Sequence, residues 1–216
     1  MADRITVTTG TVAGVQSPAG PRVARFIIAG QTQFGPTDAP RVVRNLRDYT
    51  NTFGARSGGA NMYDAAETFF ATGGSELVVQ RAFGATPVNA TISLSAGAIV
   101  VTAKNPGSYY NAWTAAYTTA TKTVTIVKGS TTVTYSGADL AGLQSAVSVD
   151  PDVTIVVTSL PGGNVTATAL AGGTDDFANV NWTNVLAKIG PAAGPGAVAV
   201  PGVGSTANAA LAAHAT

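Results

Sequence analysis

Apolar runs and helical periodicities alternate in the first part of the chain. Residues 23–29 form an apolar run that is typical of a strand buried on both faces. Asn45 can cap a helix that ends at Gly54, and a second helical pattern runs from about 61 to 72. A further apolar run at 77–79 predicts another strand. This order of strand, helix, helix and strand predicts a layered α/β unit.

The middle of the chain, residues 86–170, has alternating apolar and threonine-rich positions. Residues 123–127 and 131–135 flank a Lys-Gly-Ser turn and predict a hairpin. An Asn-Pro-Gly turn lies at 105–107, and residues 139–147 predict a short helix. We therefore expect a small, mainly β module in this part of the chain.

The α/β pattern returns in the last part of the chain. Asp175 or Asp176 can cap a helix with one apolar face, a buried strand is predicted at 197–200, and Ser205 opens a last helix. A parallel sheet built in this way would need further strands. The pattern therefore predicts that the 216 residues are a fragment or the ordered part of something longer.

The first 22 residues alternate weakly between apolar and polar positions, which predicts an extended arm. The apolar positions are Ile5, Val7, Val12 and Val15. An extended arm can satisfy its backbone by adding a strand to the sheet of a neighbouring molecule. These four residues are the candidate subunit-interface residues.

Composition and charge exclude several classes of partner. The net charge of +1 predicts no electrostatic attraction to nucleic acid or to an anionic membrane. The charge-free stretch 189–213 contains three prolines and five glycines, which argues against a membrane span. The N-terminus lacks the apolar core of a secretion signal.

The residues that usually carry enzyme chemistry are scarce. The chain has no cysteine and one histidine, His214, so we expect no catalytic, cofactor or metal site. The Asp175–Asp176 pair, together with Asp150 and Asp152, could bind a metal, but capping and a turn explain these carboxylates better.

Three arginines, at positions 41, 44 and 47, repeat at three-residue spacing. They could form a basic face for an acidic partner or the solvated edge of a helix, and the second interpretation is favoured. Three Asn-x-Thr sequons, at positions 89, 164 and 181, are expected to be accidental in so threonine-rich a chain.

Several short motifs occur in an order that resembles contractile tail sheath proteins of the bacteriophage type. In chain order they are Ala24–Gly30, Phe34-Gly35-Pro36, Tyr49–Gly54, Phe69–Gly74, Leu77–Arg81, Asn105–Asn111, Gly172–Asp176 and Ala197–Gly202. The Asn105–Asn111 turn is similar to the family's Asn-Pro-Gly-Ser-Trp-Gly-Asn turn, with Tyr109 and Tyr110 in place of Trp and Gly. Each motif alone is a turn or an element end, and the resemblance rests on their order.

The resemblance implies a division of the chain into four parts. Residues 1–22 would be a linking arm, 23–85 the first part of an α/β core, 86–170 an inserted, outward-facing, mainly β domain, and 171–216 the resumed core. Sheath proteins continue into a C-terminal domain that packs on the inner tube, so the core would be truncated here. The expected fold class is an α/β core, a layered sheet with helices, with an inserted mainly β domain and an extended N-terminal arm.

The resemblance also implies a function. The chain would be a structural subunit that polymerises around a tail tube, as a helical or stacked-ring homo-oligomer, and contracts to drive the tube through the host envelope. Its partners would be copies of itself, the tail tube protein, and baseplate and tail terminator proteins, without direct nucleic-acid contact or membrane insertion. It would belong to the virion, in a phage tail assembled in the host cytoplasm. A bacteriocin or another contractile injection system remains open.

Two alternatives come from other classes. A secreted or surface adhesin-like β protein would account for the threonine content and the sequons. A hydrolase with His214 as its base is the only specific enzyme interpretation, and we do not expect an enzyme.

Overall fold

A computed structural model describes residues 25–57, 61–190, 193 and 196–214 of the chain. The described residues form eleven strands and five α-helices. The strands are β1 (Arg25–Gly30), β2 (Arg41–Val43), β3 (Leu77–Arg81), β4 (Thr91–Leu94), β5 (Ile99–Ala103), β6 (Thr114–Thr118), β7 (Thr123–Lys128), β8 (Thr131–Ser136), β9 (Val153–Val157), β10 (Val165–Ala169) and β11 (Gly196–Ala199). The helices are α1 (Leu46–Phe53), α2 (Met62–Ala71), α3 (Leu140–Val147), α4 (Trp182–Ala187) and α5 (Asn208–His214).

The first sheet has the strand order β11-β1-β3-β2 and lies between two layers of helices. Strand β1 runs parallel to both β3 and β11, and β2 runs antiparallel to β3. Ile28 and Val79 face α1 and α2, whereas Ile27 and Val78 face α4 and α5. Both faces of the sheet are therefore buried, as the uninterrupted apolar runs require. The predicted α/β fold class is confirmed.

Local capping signals fix the helices beside this sheet. The side chain of Asn45 accepts a hydrogen bond from the backbone N–H of Asp48 at 2.8 Å, so Asn45 caps α1 as predicted. Gly54 ends α1 with a φ of 92°. The second predicted helix is α2, which begins at Met62.

The segment from β4 to β10, called here the β-rich segment, forms two antiparallel sheets around a core of its own. One sheet has the order β10-β6-β7-β8, and the other has the order β4-β5-β9. The two sheets meet where Thr91 bridges Ala171, just after β10. Helix α3 lies against β8 and β9 at the opposite side. The two sheets and the helix together enclose the apolar side chains of this segment.

A side-chain cap and a close backbone contact position the first turn of helix α3. Asp139 caps it by accepting a hydrogen bond from the backbone N–H of Gly142 at 2.8 Å. Gly137 approaches the helix so closely that a Cβ there would lie 2.1 Å from the backbone nitrogen of Leu143. Leu143 then inserts into the core of the β-rich segment with no exposed surface. The predicted helix at 139–147 is confirmed.

Replacing Leu143 with alanine is expected to lower the free energy of unfolding by about 2–5 kcal/mol, because a fully buried side chain leaves a cavity. Leu140→Ala, one turn earlier on the same helix, removes the same atoms from a half-buried position and should cost about 1 kcal/mol. Urea denaturation followed by circular dichroism measures both values. Equal losses in the two variants would contradict the assigned burial of Leu143.

The prediction that Asp175 or Asp176 caps the helix after residue 175 is wrong. Helix α4 begins at Trp182, and its cap is Asn181, whose side chain accepts a hydrogen bond from the N–H of Asn184 at 3.1 Å. Asp176 instead has a left-handed backbone, with a φ of 48°, and precedes a short 3-10 turn. Asp175 forms a buried ion pair with Arg81, described below.

The β-rich segment lies in sequence between β3 and β11, two strands of the first sheet. The division into domains at residues 86 and 170, and the N-terminal arm, stay predictions. In the ranges that the structure describes, every helix is too short or too polar to cross a membrane.

Candidate subunit interface

The four candidate interface residues of the arm, Ile5, Val7, Val12 and Val15, lie outside the described residues. Their predicted contact with a neighbouring molecule therefore stays a prediction. An arm that adds a strand to a neighbouring molecule needs an accessible sheet edge on that molecule. The strand orders of the three sheets show which strands lie at the edges.

The outer edge of β11 is the most accessible edge of the first sheet. In the described part of the chain β11 pairs with β1 alone, in the parallel register that places Arg25 beside Gly196 and Ile28 beside Ala199. All four residues of β11 are exposed or half-buried. Its free backbone N–H and C=O groups are thus available for pairing with another strand.

A largely apolar groove lies next to the β11 edge of the first sheet. Phe26 of β1 stacks on Phe69 of α2, with ring centroids 5.6 Å apart and nearly parallel rings. These two rings, Ala65 and Pro201 are the apolar part of the lining of a shallow groove of about 520 Å³. Its polar lining residues are Asn61, Asp64, Thr68 and Thr72. An added strand at β11 could place apolar side chains against this groove.

The opposite edge of the first sheet is less suited to strand addition. Strand β2 has only three residues, and its Arg41 forms an exposed ion pair with Asp38 at 3.0 Å. Short strands and charged side chains are the usual protection of sheet edges.

The edges of the β-rich segment are partly protected. Helix α3 lies against β8 and β9, and Gln144 donates a hydrogen bond to the carbonyl oxygen of Val157 at 2.7 Å. The register of β10 against β6 is irregular between Val165 and Thr168. Such irregularities interrupt regular strand pairing.

Arg81 joins the first sheet to the β-rich segment. Its side chain is fully buried at the end of β3, where Nη1 donates to the carbonyl oxygen of Gly35 at 2.7 Å and Nη2 donates to that of Pro106 at 2.9 Å. Nη2 also forms an ion pair with Asp175. We call these four residues the junction. One guanidinium thereby holds three separate parts of the chain to the end of β3.

Aromatic side chains surround the junction. The backbone N–H of Gly35 donates to the hydroxyl of Tyr110 at 3.2 Å, and burial raises the pKa of this tyrosine. Phe34 stacks on Tyr109 with a centroid distance of 4.6 Å. An open cavity of about 670 Å³ lies beside these rings, and its lining is a mixture of aromatic and polar residues.

A second polar cluster lies in the β-rich segment, with Lys128 and Asp150 buried and Asp152 51% exposed. Lys128 at the end of β7 pairs with Asp150 at 2.6 Å and with Asp152 at 2.9 Å. Tyr135 of β8 donates to Asp150, also at 2.6 Å. The cluster joins the β7–β8 hairpin to the turn that precedes β9.

The remaining candidate groups have ordinary structural contacts. The side chains of Asn89, Asn164 and Asn181 each form an intramolecular hydrogen bond. Arg44 and Arg47 are exposed at the start of α1, where Asp48 accepts a hydrogen bond from the backbone N–H of Arg44. Within the described ranges, no group of three or more His, Cys, Asp or Glu residues could hold a metal ion.

The fold is similar to that of two solved sheath tail proteins. The sheath tail protein from Listeria innocua has a TM-score of 0.62 and 20% sequence identity, over 88% of this chain and 43% of its own. The sheath tail protein from Desulfitobacterium hafniense has a TM-score of 0.62 and 16% identity, over 99% of this chain and 49% of its own. This chain therefore has a fold found in sheath tail proteins and spans just under half the length of these two.

No protein-family model matches the chain, and no curated protein matches it.

Proposed function

We propose that this chain is a structural subunit of a contractile tail sheath. Copies would polymerise around a tail tube and then shorten, driving the tube through a host envelope. The observation that carries this proposal is the fold, which matches sheath tail proteins over 88% and 99% of this chain. The edge of β11, which pairs with β1 alone among the described residues, supports it, because a polymer needs surfaces that remain incomplete in the single subunit.

The strand that completes this edge would come from the arm of another copy. Ile5 and Val7, two residues apart, would share one face of an added strand, and Val12 and Val15 provide further apolar side chains along the arm. Main-chain pairing would give strength, and the groove beside Phe26 and Phe69, next to the β11 edge, would bind apolar side chains of the arm. In this arrangement residues 1–22 act as the linking arm.

The β-rich segment would be an inserted domain on the outside of the sheath. It has its own core, it lies in sequence between two strands of the first sheet, and Arg81 anchors it there. Residues 23–85 and 171–216 would then form one α/β core. Contacts with the tube, baseplate and tail terminator proteins belong to the same proposal, and so does the location in a phage tail.

The work of contraction would come from subunit contacts that are more favourable in the shortened state. We propose no turnover of a separate substrate and no cofactor for this chain. Many small differences in contact free energy, summed along a polymer, shift an assembly from one arrangement to another.

Deleting residues 1–20 is expected to leave a folded subunit that forms no sheaths. Negative-stain electron microscopy and analytical ultracentrifugation of the full-length chain and of the deletion measure assembly, and circular dichroism checks folding. Stacked rings or tubes from the full-length chain alone are the expected result. A full-length chain that stays monomeric at high concentration, with no tubular assemblies, would contradict the sheath proposal.

A matched pair of variants tests the arm without shortening it. Replacing Ile5, Val7, Val12 and Val15 with asparagine should abolish assembly, whereas replacing Thr6, Thr8, Thr9 and Thr11 with asparagine should preserve it. Normal tubes from the first variant would refute the role of the apolar face, although the sheath proposal itself would survive.

A further inference from the structure

Lys128 and Asp150 hold a primary amine and a carboxyl group in contact, away from water. The Lys128 side chain is 7% exposed and that of Asp150 is fully buried. Lys128 Nζ lies 2.6 Å from Oδ1 and 2.8 Å from Oδ2 of Asp150. The proposed sheath function makes no use of this pair.

The groups around the pair are those that amide formation requires. Asp152 Oδ2 lies 2.9 Å from Lys128 Nζ and can accept a proton from it. The backbone N–H groups of Asp152 and Val153 donate to Asp150 Oδ1 at 2.8 and 3.1 Å. Tyr135 donates its hydroxyl proton to Asp150 Oδ2 at 2.6 Å. The two oxygens of one carboxyl group therefore have different partners.

We propose that Lys128 and Asp150 condense to form an intramolecular isopeptide bond. The bond would join Nζ of Lys128 to Cγ of Asp150 and release Oδ2 as water. It would need no metal, cofactor or oxidant, because an ammonium and a carboxylate together contain every atom of an amide and one water molecule.

The proton transfers balance within the cluster. Nζ first passes one proton to Oδ2 of Asp150, 2.8 Å away, so that an amine faces a neutral carboxylic acid, and the amine lone pair then attacks Cγ. Asp152 takes a second proton from Nζ as the C–N bond forms. The negative charge that develops on Oδ1 is stabilised by the N–H groups of Asp152 and Val153, as in an oxyanion hole. Oδ2, which already carries the first proton from Nζ and accepts the hydrogen bond of Tyr135, receives the second proton and departs as water. Asp152 and Tyr135 finish in their starting protonation states.

Asp150 enters the reaction as a carboxylate. Burial would raise the pKa of Asp150, but hydrogen bonds from Lys128, Tyr135 and the backbone outweigh it and hold the pKa below its usual value. The reaction therefore begins from the ion pair and needs no net uptake of protons. Burial raises the pKa of Tyr135, so its hydroxyl remains a proton donor.

The product would also relieve the cost of burying two charges. An ion pair removed from water loses hydration that its mutual attraction only partly replaces, and a neutral amide in the same place avoids this loss. Lys128 and Asp150 are 22 residues apart, so the bond would close a loop containing β8 and α3. A covalent link across such a loop restricts the unfolded chain, as a disulfide does.

Intact mass spectrometry of the denatured full-length chain tests the proposal directly. The expected mass is that of the sequence minus one water molecule, and tandem spectra of a digest should contain a cross-linked peptide pair that includes Lys128 and Asp150. A mass equal to that of the uncondensed sequence, in fresh and in aged protein, would overturn the proposal.

Four variants locate the bond. Lys128→Arg should show no loss, whereas Lys122→Arg, a half-exposed lysine of the same segment, should still lose one water molecule. Asp150→Asn should lose one ammonia molecule in place of water, and Asp152→Asn should slow or abolish the reaction. Circular dichroism confirms that each variant folds.

Loss of one water molecule could also come from succinimide formation at an aspartate, and this reaction can be distinguished from the isopeptide bond. A succinimide cannot form between Asp150 and Pro151, because proline has no backbone N–H to attack the carboxyl group. A loss of water that persisted in Lys128→Arg would come from another site and would refute the assignment.

Discussion

Replacing Arg81 with methionine is expected to lower the free energy of unfolding by about 3–5 kcal/mol. Arg81 is fully buried, and its loss would leave Asp175, with a side chain only 15% exposed, without its ion-pair partner. The carbonyl oxygens of Gly35 and Pro106 would also lose their hydrogen bonds from the guanidinium. A buried charge and two unpaired carbonyls together explain the size of the loss.

Arg56→Met is the matched control for this variant. Arg56 also forms ion pairs, with Asp64 and Glu67, but its side chain is 61% exposed. Exposed pairs contribute about 1 kcal/mol or less, so this control should change the stability little. Chemical denaturation gives both values, and the double variant Arg81→Met/Asp175→Leu should recover part of the loss. A similar small effect in both single variants would show that Arg81 does not hold the junction together.

Gly107→Ala is expected to cost at least about 2 kcal/mol, because both backbone strain and crowding oppose the new methyl group. Gly107 has a φ of 139° and a ψ of 150°, a region that glycine alone occupies readily. A Cβ at this position would lie 2.8 Å from Arg81 Nη2 and 2.9 Å from Asp175 Oδ1. The substitution would therefore push apart the ion pair at the junction.

Gly163→Ala is the control for the effect of alanine itself. A Cβ at Gly163 would meet nothing within 4 Å. The free energy of unfolding of this variant should therefore be unchanged or rise by about 0.5 kcal/mol. Denaturation can be followed by tryptophan fluorescence, because Trp113 reports on the β-rich segment and Trp182 on the first sheet's helices. Equal stabilities for the two alanine variants would contradict the backbone conformation assigned to Gly107.

The sequence predicted those elements whose signals are local. Asn45, Gly54 and Asp139 mark helix ends, and each does so through a contact with residues a few positions away. Strands β1 and β3 of the first sheet were recognised because both of their faces are apolar. The strand predicted as buried at 197–200 is β11, and its burial was predicted wrongly, since all of its residues are exposed or half-buried. Such signals need no knowledge of distant parts of the chain.

Strands with weak patterns were missed. Strand β6, Thr114–Thr118, and strand β10, Val165–Ala169, consist mainly of threonine and alanine. Their side chains give little alternation, and their positions follow from pairing with β7 and with each other. Cross-strand pairing depends on tertiary context, and no local pattern encodes it.

The polar clusters could not be predicted from the sequence for a related reason. Asp175 and Asp176 occupy positions where helix caps often occur, but Asp175 forms an ion pair with Arg81, which lies 94 residues earlier in the sequence. Lys128 and the Asp150–Pro151–Asp152 segment both belong to predicted turns, and only the folded hairpin brings them together. The candidate interface of the arm lies outside the described residues and stays a prediction.

The order of strands in the first sheet constrains the order in which the protein can fold during synthesis. Strand β1 is an inner strand, but one of its two neighbours, β11, belongs to a much later part of the sequence, and the Arg25 side chain of β1 donates a hydrogen bond to the carbonyl oxygen of Ala193, 168 residues away. Until that part leaves the ribosome, β1 lacks one of the two neighbours that it has in the described structure. Contacts between residues so distant in sequence form slowly. In the meantime the unpaired edge of β1 can pair with the β11 of another copy. We therefore expect nascent chains of this protein to be open to domain swapping at β1.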